Sequence, residues 1–187
     1  MKGSFLTRCD LGPESLSFAV ILTWMEHKKQ KIRNEFEVTR EEYHSLLKSF
    51  SENDLKRRSN NQGWTNKEVL FHILLGFIVV TLLFPMVKLF AKLPNTYSKI
   101  FASMLNASTP IFNFLNAFGA RIGGKIFSVS ALDKKFSQTI DNLLRKLETV
   151  KEEEWEKGMY FPHKWDGLFD EYMTIEKLFH YPVNHFK

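Results

Sequence analysis

Apolar residues along this chain recur at steps of three and four, which predicts helices. The clearest run follows Ser130-x-x-Asp133, where Leu132, Phe136, Ile140, Leu143, Leu144, Leu147 and Val150 trace one helical face. Thr39 and Glu42 have the spacing of a capping box, and Tyr43, Leu46, Leu47 and Phe50 follow at helical intervals. A first bundle helix is therefore expected to start at Thr39. The segment Trp64-Thr65-Asn66-Lys67-Glu68-Val69 is a second start signal, with Thr65 as cap, Glu68 as its reciprocal partner and Trp64 and Val69 as the flanking staple. That helix should run through His72 to Pro85, whose missing N–H is expected to end or kink it. Residues 95–128 mix Asn, Ser, Gly and Phe and predict short helices laid over the bundle. After an acidic stretch, residues 158–167 read as a loop rich in aromatics, and a last helix from about Thr174 carries His180 and His185. No stretch alternates convincingly with period two. The fold class is all-α, with residues 1–38 as an N-terminal extension and 39–187 as one helical bundle.

Composition changes this picture little. A chain of 187 residues with 44% hydrophobic and 25% charged positions is long and apolar enough to bury its own core, and Phe, at 18 copies, is in excess. The net charge of +5 is diffuse. Its only tight cluster, Lys56, Arg57 and Arg58, sits beside Glu52 and Asp54, so no nucleic-acid partner is expected. The single cysteine, Cys9, excludes an internal disulfide and a multi-thiolate zinc site and fits a cytoplasmic setting. The apolar run 18–24 follows Glu14 and lacks a small-residue cleavage site, so residues 1–24 read as peripheral and not as a signal peptide.

One stretch tests the reading. Residues 69–87 carry no formal charge over 19 positions, long enough for a bilayer span. The capping box, His72, Gly76, Pro85 and a mean hydropathy of −0.24 favour a helix buried at the centre of the bundle, with the uncharged segment 100–118 as cover. The rival is a membrane-associated protein through 69–118; membrane contact is not favoured.

Chemistry narrows to histidines. His72 lies in V-L-F-H-I-L-L-G, where a polar ring is costly unless its nitrogens are satisfied, and alone it reads as a hydrogen-bonded core histidine. Imidazoles from two helices commonly hold a transition metal in a bundle core, and the last helix supplies His180 and His185. Five residues at roughly 100° each put those two about 140° apart, so at most one should meet His72 unless Pro182 kinks the helix. Tyr160, Phe161, His163 and Trp165 are candidates to line a pocket mouth, against a plainer role in pinning the loop to the bundle. Gly119, Gly124 and Lys125 have phosphate-loop spacing, but Ile126 replaces the required Ser or Thr and no strand precedes them. They read as a glycine turn closing a short helix. No nucleophile motif is present.

The segments W-T-N-K-E-V-L-F-H, M-Y-F-P-H-K-W-D and Y-M-T-I-E-K-L-F-H-Y-P-V-N-H-F resemble the DinB-like four-helix bundles, a family of metal-dependent hydrolases and thiol-dependent transferases. The resemblance runs from about Thr39 onward. It implies a DinB-like four-helix bundle with the N-terminal extension and a helical insertion at about 95–128. His72 matches the family's first ligand, and His185 matches the first of a histidine pair four apart. The second of that pair falls at position 189, beyond Lys187, with His180 as an imperfect substitute. The implied cofactor is a divalent transition metal (Zn, Ni or Fe), and the implied activity is hydrolysis or thiol-dependent transfer on a small-molecule substrate. On the residues alone a homodimer stays open as a partner state. The alternative is a metal-free bundle that binds an apolar ligand or partner.

Overall fold

The computed structural model describes residues 13–60 and 63–187, with side chains from Trp24 onward. Residues 1–12, Cys9 among them, lie outside the described residues. In chain order the elements are α1 (Pro13–Ser49), α2 (Glu52–Lys56), α3 (Asn66–Phe90), α4 (Asn95–Ala107), α5 (Thr109–Ile126), α6 (Val129–Glu148), β1 (Gly158–Tyr160), β2 (Tyr172–Thr174) and α7 (Ile175–Phe186).

Four of these close on one another. α3 packs on α6 and α7, and α1 packs on the same two from the opposite side. Each contributes a three- and four-step apolar stripe to one core: Ile32, Phe36 and Tyr43 from α1, Leu70, Leu74 and Phe77 from α3, Leu132, Phe136 and Ile140 from α6, and Leu178 and Phe179 from α7. Aromatic rings join the stripes, with Tyr43 stacked on Phe136 at 3.9 Å and Phe77 edge-on to Phe36 and Phe136. The buried Tyr43 hydroxyl donates to the Leu70 carbonyl at 3.0 Å, tying α1 to the first turn of α3. The architecture is an all-α four-helix bundle with α4 and α5 inserted between its second and third helices.

Thr65 caps α3 as expected. Its Oγ1 accepts the Glu68 N–H at 3.3 Å, and Glu68 Oε2 accepts the Thr65 N–H at 2.8 Å. Thr39 does not start a helix. It lies inside α1, and its hydroxyl donates to the Glu35 carbonyl one turn back at 2.8 Å, which satisfies it without a cap. Pro85 does not end α3, which continues to Phe90. Pro85 is exposed, so the bond it cannot make falls at the surface. The cap of α6 is Ser128, whose Oγ accepts from the Ala131 N–H at 3.2 Å, and the expected cap site Ser130 is already helical.

Residues 95–128 form two helices joined at Ser108, and the glycines expected to make a turn lie within α5. Gly123 and Gly124 are buried against α3: a Cβ on Gly123 would fall 2.2 Å from the Phe71 ring. Small residues here permit close helix contact. A short antiparallel ladder, absent from the expected pattern, pairs Gly158 with Thr174 and Tyr160 with Tyr172. Gly158 is needed there because a Cβ would lie 1.9 Å from the Met173 carbonyl oxygen. The ladder closes the intervening loop over one end of α3 and α7. By length and composition α3 alone passes for a membrane span among the described residues; α5, α6 and α7 pack on it and bury 33% of its apolar window.

Candidate metal centre

α3 carries His72 and α7 carries His185, and the packing of these two helices brings the rings together. Their Nε2 atoms are 3.1 Å apart. The loop closed by β1 and β2 delivers a third group, Asp166. Its Oδ2 lies 3.1 Å from His185 Nδ1 and accepts the Tyr181 hydroxyl at 2.8 Å, while Oδ1 accepts the Leu168 N–H at 2.8 Å. Burial pushes the Asp166 carboxyl upward, but the bonds from His185, Leu168 and Tyr181 outweigh it and hold the group at about 2. Burial, reinforced by Asp166, raises the Tyr181 phenol well above its ordinary value, so it stays a donor.

A carboxylate so fixed accepts a hydrogen bond from His185, which places the ring proton on Nδ1 and leaves the Nε2 lone pair facing His72. Burial is the main force on His72, and the proximity of His185 adds to it. Asp166 and Asn116 oppose them only in part, and the ring is pushed down to about 4. The neutral His72 therefore donates from Nε2 to the free His185 Nε2 across the 3.1 Å contact, and both Nε2 atoms face the same gap between α3 and α7. The His72 Nδ1 is buried without a hydrogen-bond partner, and the Trp64 ring stands edge-on to the His72 ring with centroids 4.9 Å apart. Gly76, one turn after His72, faces the same ring: a Cβ there would lie 3.4 Å from His185 Cδ2, at ordinary contact distance.

The pair stands between two spaces. On one side is a mostly apolar cavity of about 330 Å³ walled by Leu75, Val79, Leu83, Met86, Phe112 and Phe161 among others. On the other is a more polar cleft of about 690 Å³ that includes Asn60, Asn113 and Lys187. His72, Asn116, Trp165, Asp166 and His185 line both.

Of the other expected site residues, Phe161 and Trp165 reach the cavity. Trp165 stacks on Phe112 at 4.0 Å, and its Nε1 donates to the Leu105 carbonyl at 2.8 Å, so it lines the wall and pins the loop at once. Tyr160 and His163 do not reach it and border a separate surface pocket with Lys99 and Lys164. His180 is not at the centre either. Pro182 leaves α7 continuous, and the His180 Nδ1 meets Glu35 Oε2 of α1 at 2.6 Å, on another face of the helix. Sequence reasoning missed Asp166, Tyr181 and Asn116. Tyr181 sits four residues before His185, on the same helical face, which was the available signal.

Two imidazoles on one ion, with metal–nitrogen bonds of about 2.0–2.1 Å, place their nitrogens roughly 3.0–3.4 Å apart. The observed separation of 3.1 Å fits that range. The Asp166 contact to the far nitrogen of His185 is the outer support that metal-bound histidines usually have. Among the described residues, however, no three His, Cys, Asp or Glu side chains converge as a metal-binding group. The donor set seen is two nitrogens and an orienting carboxylate.

The family model described as the DinB superfamily matches residues 35–185. The chain belongs to the DinB superfamily. No curated protein and no solved structure gives a significant match. The DinB match begins within α1 and ends on His185, so it takes in all four bundle helices, the α4–α5 insertion and every residue of the centre.

Proposed function

We propose that this DinB-superfamily chain is a metal-dependent protein acting on a small, partly apolar molecule, by hydrolysis or thiol-dependent group transfer. The observation that carries the reading is the Nε2 pair of His72 and His185, 3.1 Å apart where an apolar cavity meets a polar cleft. His72 and His185 would hold a divalent ion through neutral imidazoles, and zinc, nickel and iron all accept such ligands. When bound, such an ion acidifies a coordinated water or thiol enough to make it a nucleophile at neutral pH.

The chain's own groups have separate tasks. Asp166 accepts a hydrogen bond from the His185 Nδ1–H, which keeps the proton on Nδ1 and Nε2 free to bind, and Tyr181 and Leu168 keep Asp166 in place. Burial keeps His72 unprotonated across the neutral range. Phe161 and Trp165, with the α3 and α5 side chains of the cavity, exclude water and receive the apolar part of the substrate.

Metal content of the purified chain tests this directly. Wild type supplied with zinc, nickel and iron should retain one of them in near-stoichiometric amount, and His72→Ala and His185→Ala should each remove it. Asp166→Asn should weaken retention by about ten- to a hundredfold, as loss of an outer-sphere partner does elsewhere. A wild type without metal, or variants with unchanged content, would sink the reading. The absence of a third converging donor among the described residues favours a second one, a metal-free bundle that binds an apolar ligand. It requires metal-free protein carrying a co-purified apolar molecule in native mass spectra.

A further inference from the structure

The α5 helix directs its large apolar residues outward. The face it packs on α3 is built from Ala120, Gly123 and Gly124, all buried. Its solvent face carries Ile111, Phe114, Leu115, Phe118, Ile122 and Ile126, which are 64, 66, 58, 50, 37 and 73% exposed. Steps of three and four align these side chains along one side of the helix. The α4 helix repeats the arrangement, burying Ser98 and Ala102 and exposing Tyr97, Ile100 and Met104 at helical spacing. Monomeric soluble proteins rarely leave such a surface uncovered.

Charge identifies what covers it. No Asp or Glu occurs between Glu68 and Asp133, whereas Arg121 and Lys125 of α5 are exposed beside its apolar stripe. A second copy docking through the α5 face would set Arg121 and Lys125 of one copy against those of the other. An anionic lipid surface offers both requirements, an apolar layer for the Phe, Ile and Leu side chains and phosphates for the cations. We propose that the outward faces of α5 and α4 dock on an anionic lipid bilayer, lying in its interface without spanning it. α3 stays in the bundle, where α5, α6 and α7 pack on it. Leu115 belongs both to the exposed stripe and to the wall of the apolar cavity, so docking sets the cavity's rim against the lipid. Docking does not depend on an ion at His72.

Vesicle flotation of the full chain tests the proposal. Wild type should float with vesicles of equal parts phosphatidylcholine and phosphatidylserine, float poorly with phosphatidylcholine alone, and be released by high salt. The pair F114E/F118E should weaken binding at least about tenfold through lost apolar contact. R121Q/K125Q should weaken it roughly thirtyfold on anionic vesicles, a factor of about five for each cation near the surface. Both pairs alter exposed positions, so thermal melts should match wild type and separate lost docking from lost folding. Wild type that stays with the soluble fraction, or variants that float as wild type does, overturns the proposal. So does a dimer in solution that F114E/F118E splits while no vesicle is bound, which would assign the face to self-association.

Discussion

His72 is neutral by virtue of its surroundings, and this links its position to the acid stability of the whole chain. Its folded value of about 4 lies below the 6.5 expected when unfolded, so between those values the unfolded chain binds the extra proton. Stability is therefore complete above about 6.5 and falls as pH drops towards 4, by at most about 3 kcal/mol from this group, less what solvent screens. Asp166 adds a further loss at lower pH, as protons compete for a carboxylate whose folded value is depressed. Urea titrations in the presence of a chelator should show the midpoint declining over that range, and His72→Leu should flatten the decline. An equal slope in wild type and variant would exclude His72 as its source. His72 stood out in the sequence because its neighbours are all apolar, but that context alone reads as a core histidine, and only the family resemblance made it a ligand candidate. The 140° separation also foretold that His180 and His185 could not both reach it. Asp166 was not legible, since a loop must close through the β1–β2 ladder before that carboxylate meets His185, and no local pattern encodes that closure.

Among the elements, two threonines with the same capping-box spacing had opposite outcomes. Thr65 follows Gly63, which adopts φ +73, and that left-handed residue interrupts the chain immediately before the cap. No glycine or proline precedes Thr39 between residues 25 and 38, so the helix passes through it and the hydroxyl bonds back. The spacing alone is ambiguous; an adjacent breaker decides it. The α5 glycines were misread for a related reason, because their smallness serves helix contact and their sequence context resembles a turn. A matched pair of substitutions separates the two roles. Gly123→Ala, whose Cβ would meet the Phe71 ring at 2.2 Å, should destabilise by about 1–3 kcal/mol in urea unfolding. Gly119→Ala, with 3.7 Å to Leu75, should be neutral or gain up to about 1 kcal/mol from helix propensity. Equal effects would show that α5 does not lie against α3 at Gly123.

For the whole molecule, the two uncharged runs, 69–87 and 100–118, each admitted two destinations in the sequence, a bundle centre and a membrane, and the fold buries them to very different extents. α3 fills the centre with seven buried residues from Leu70 to Val87, whereas α4 buries only Ser98 and Ala102 and α5 only Ala120, Gly123 and Gly124. No periodicity reveals that division, because large apolar residues on α5 face outward and the usual inference from hydrophobicity to burial inverts there. The energetic consequence is uneven stability. A helix that buries alanine and glycine removes little apolar area from water, so α4 and α5 should open at lower cost than α6, which buries Leu132, Phe136, Ile140, Leu143 and Leu147. Hydrogen exchange on the full chain should show α4 and α5 amides exchanging roughly tenfold or more faster than those of α6. Comparable protection would mean that the insertion is as firmly held as the bundle. Leu105, Phe112 and Leu115 of these two helices also wall the cavity beside His72 and His185, so their opening uncovers the centre. An apolar molecule seated in the cavity should then slow exchange in α4 and α5 selectively, leaving α6 unchanged.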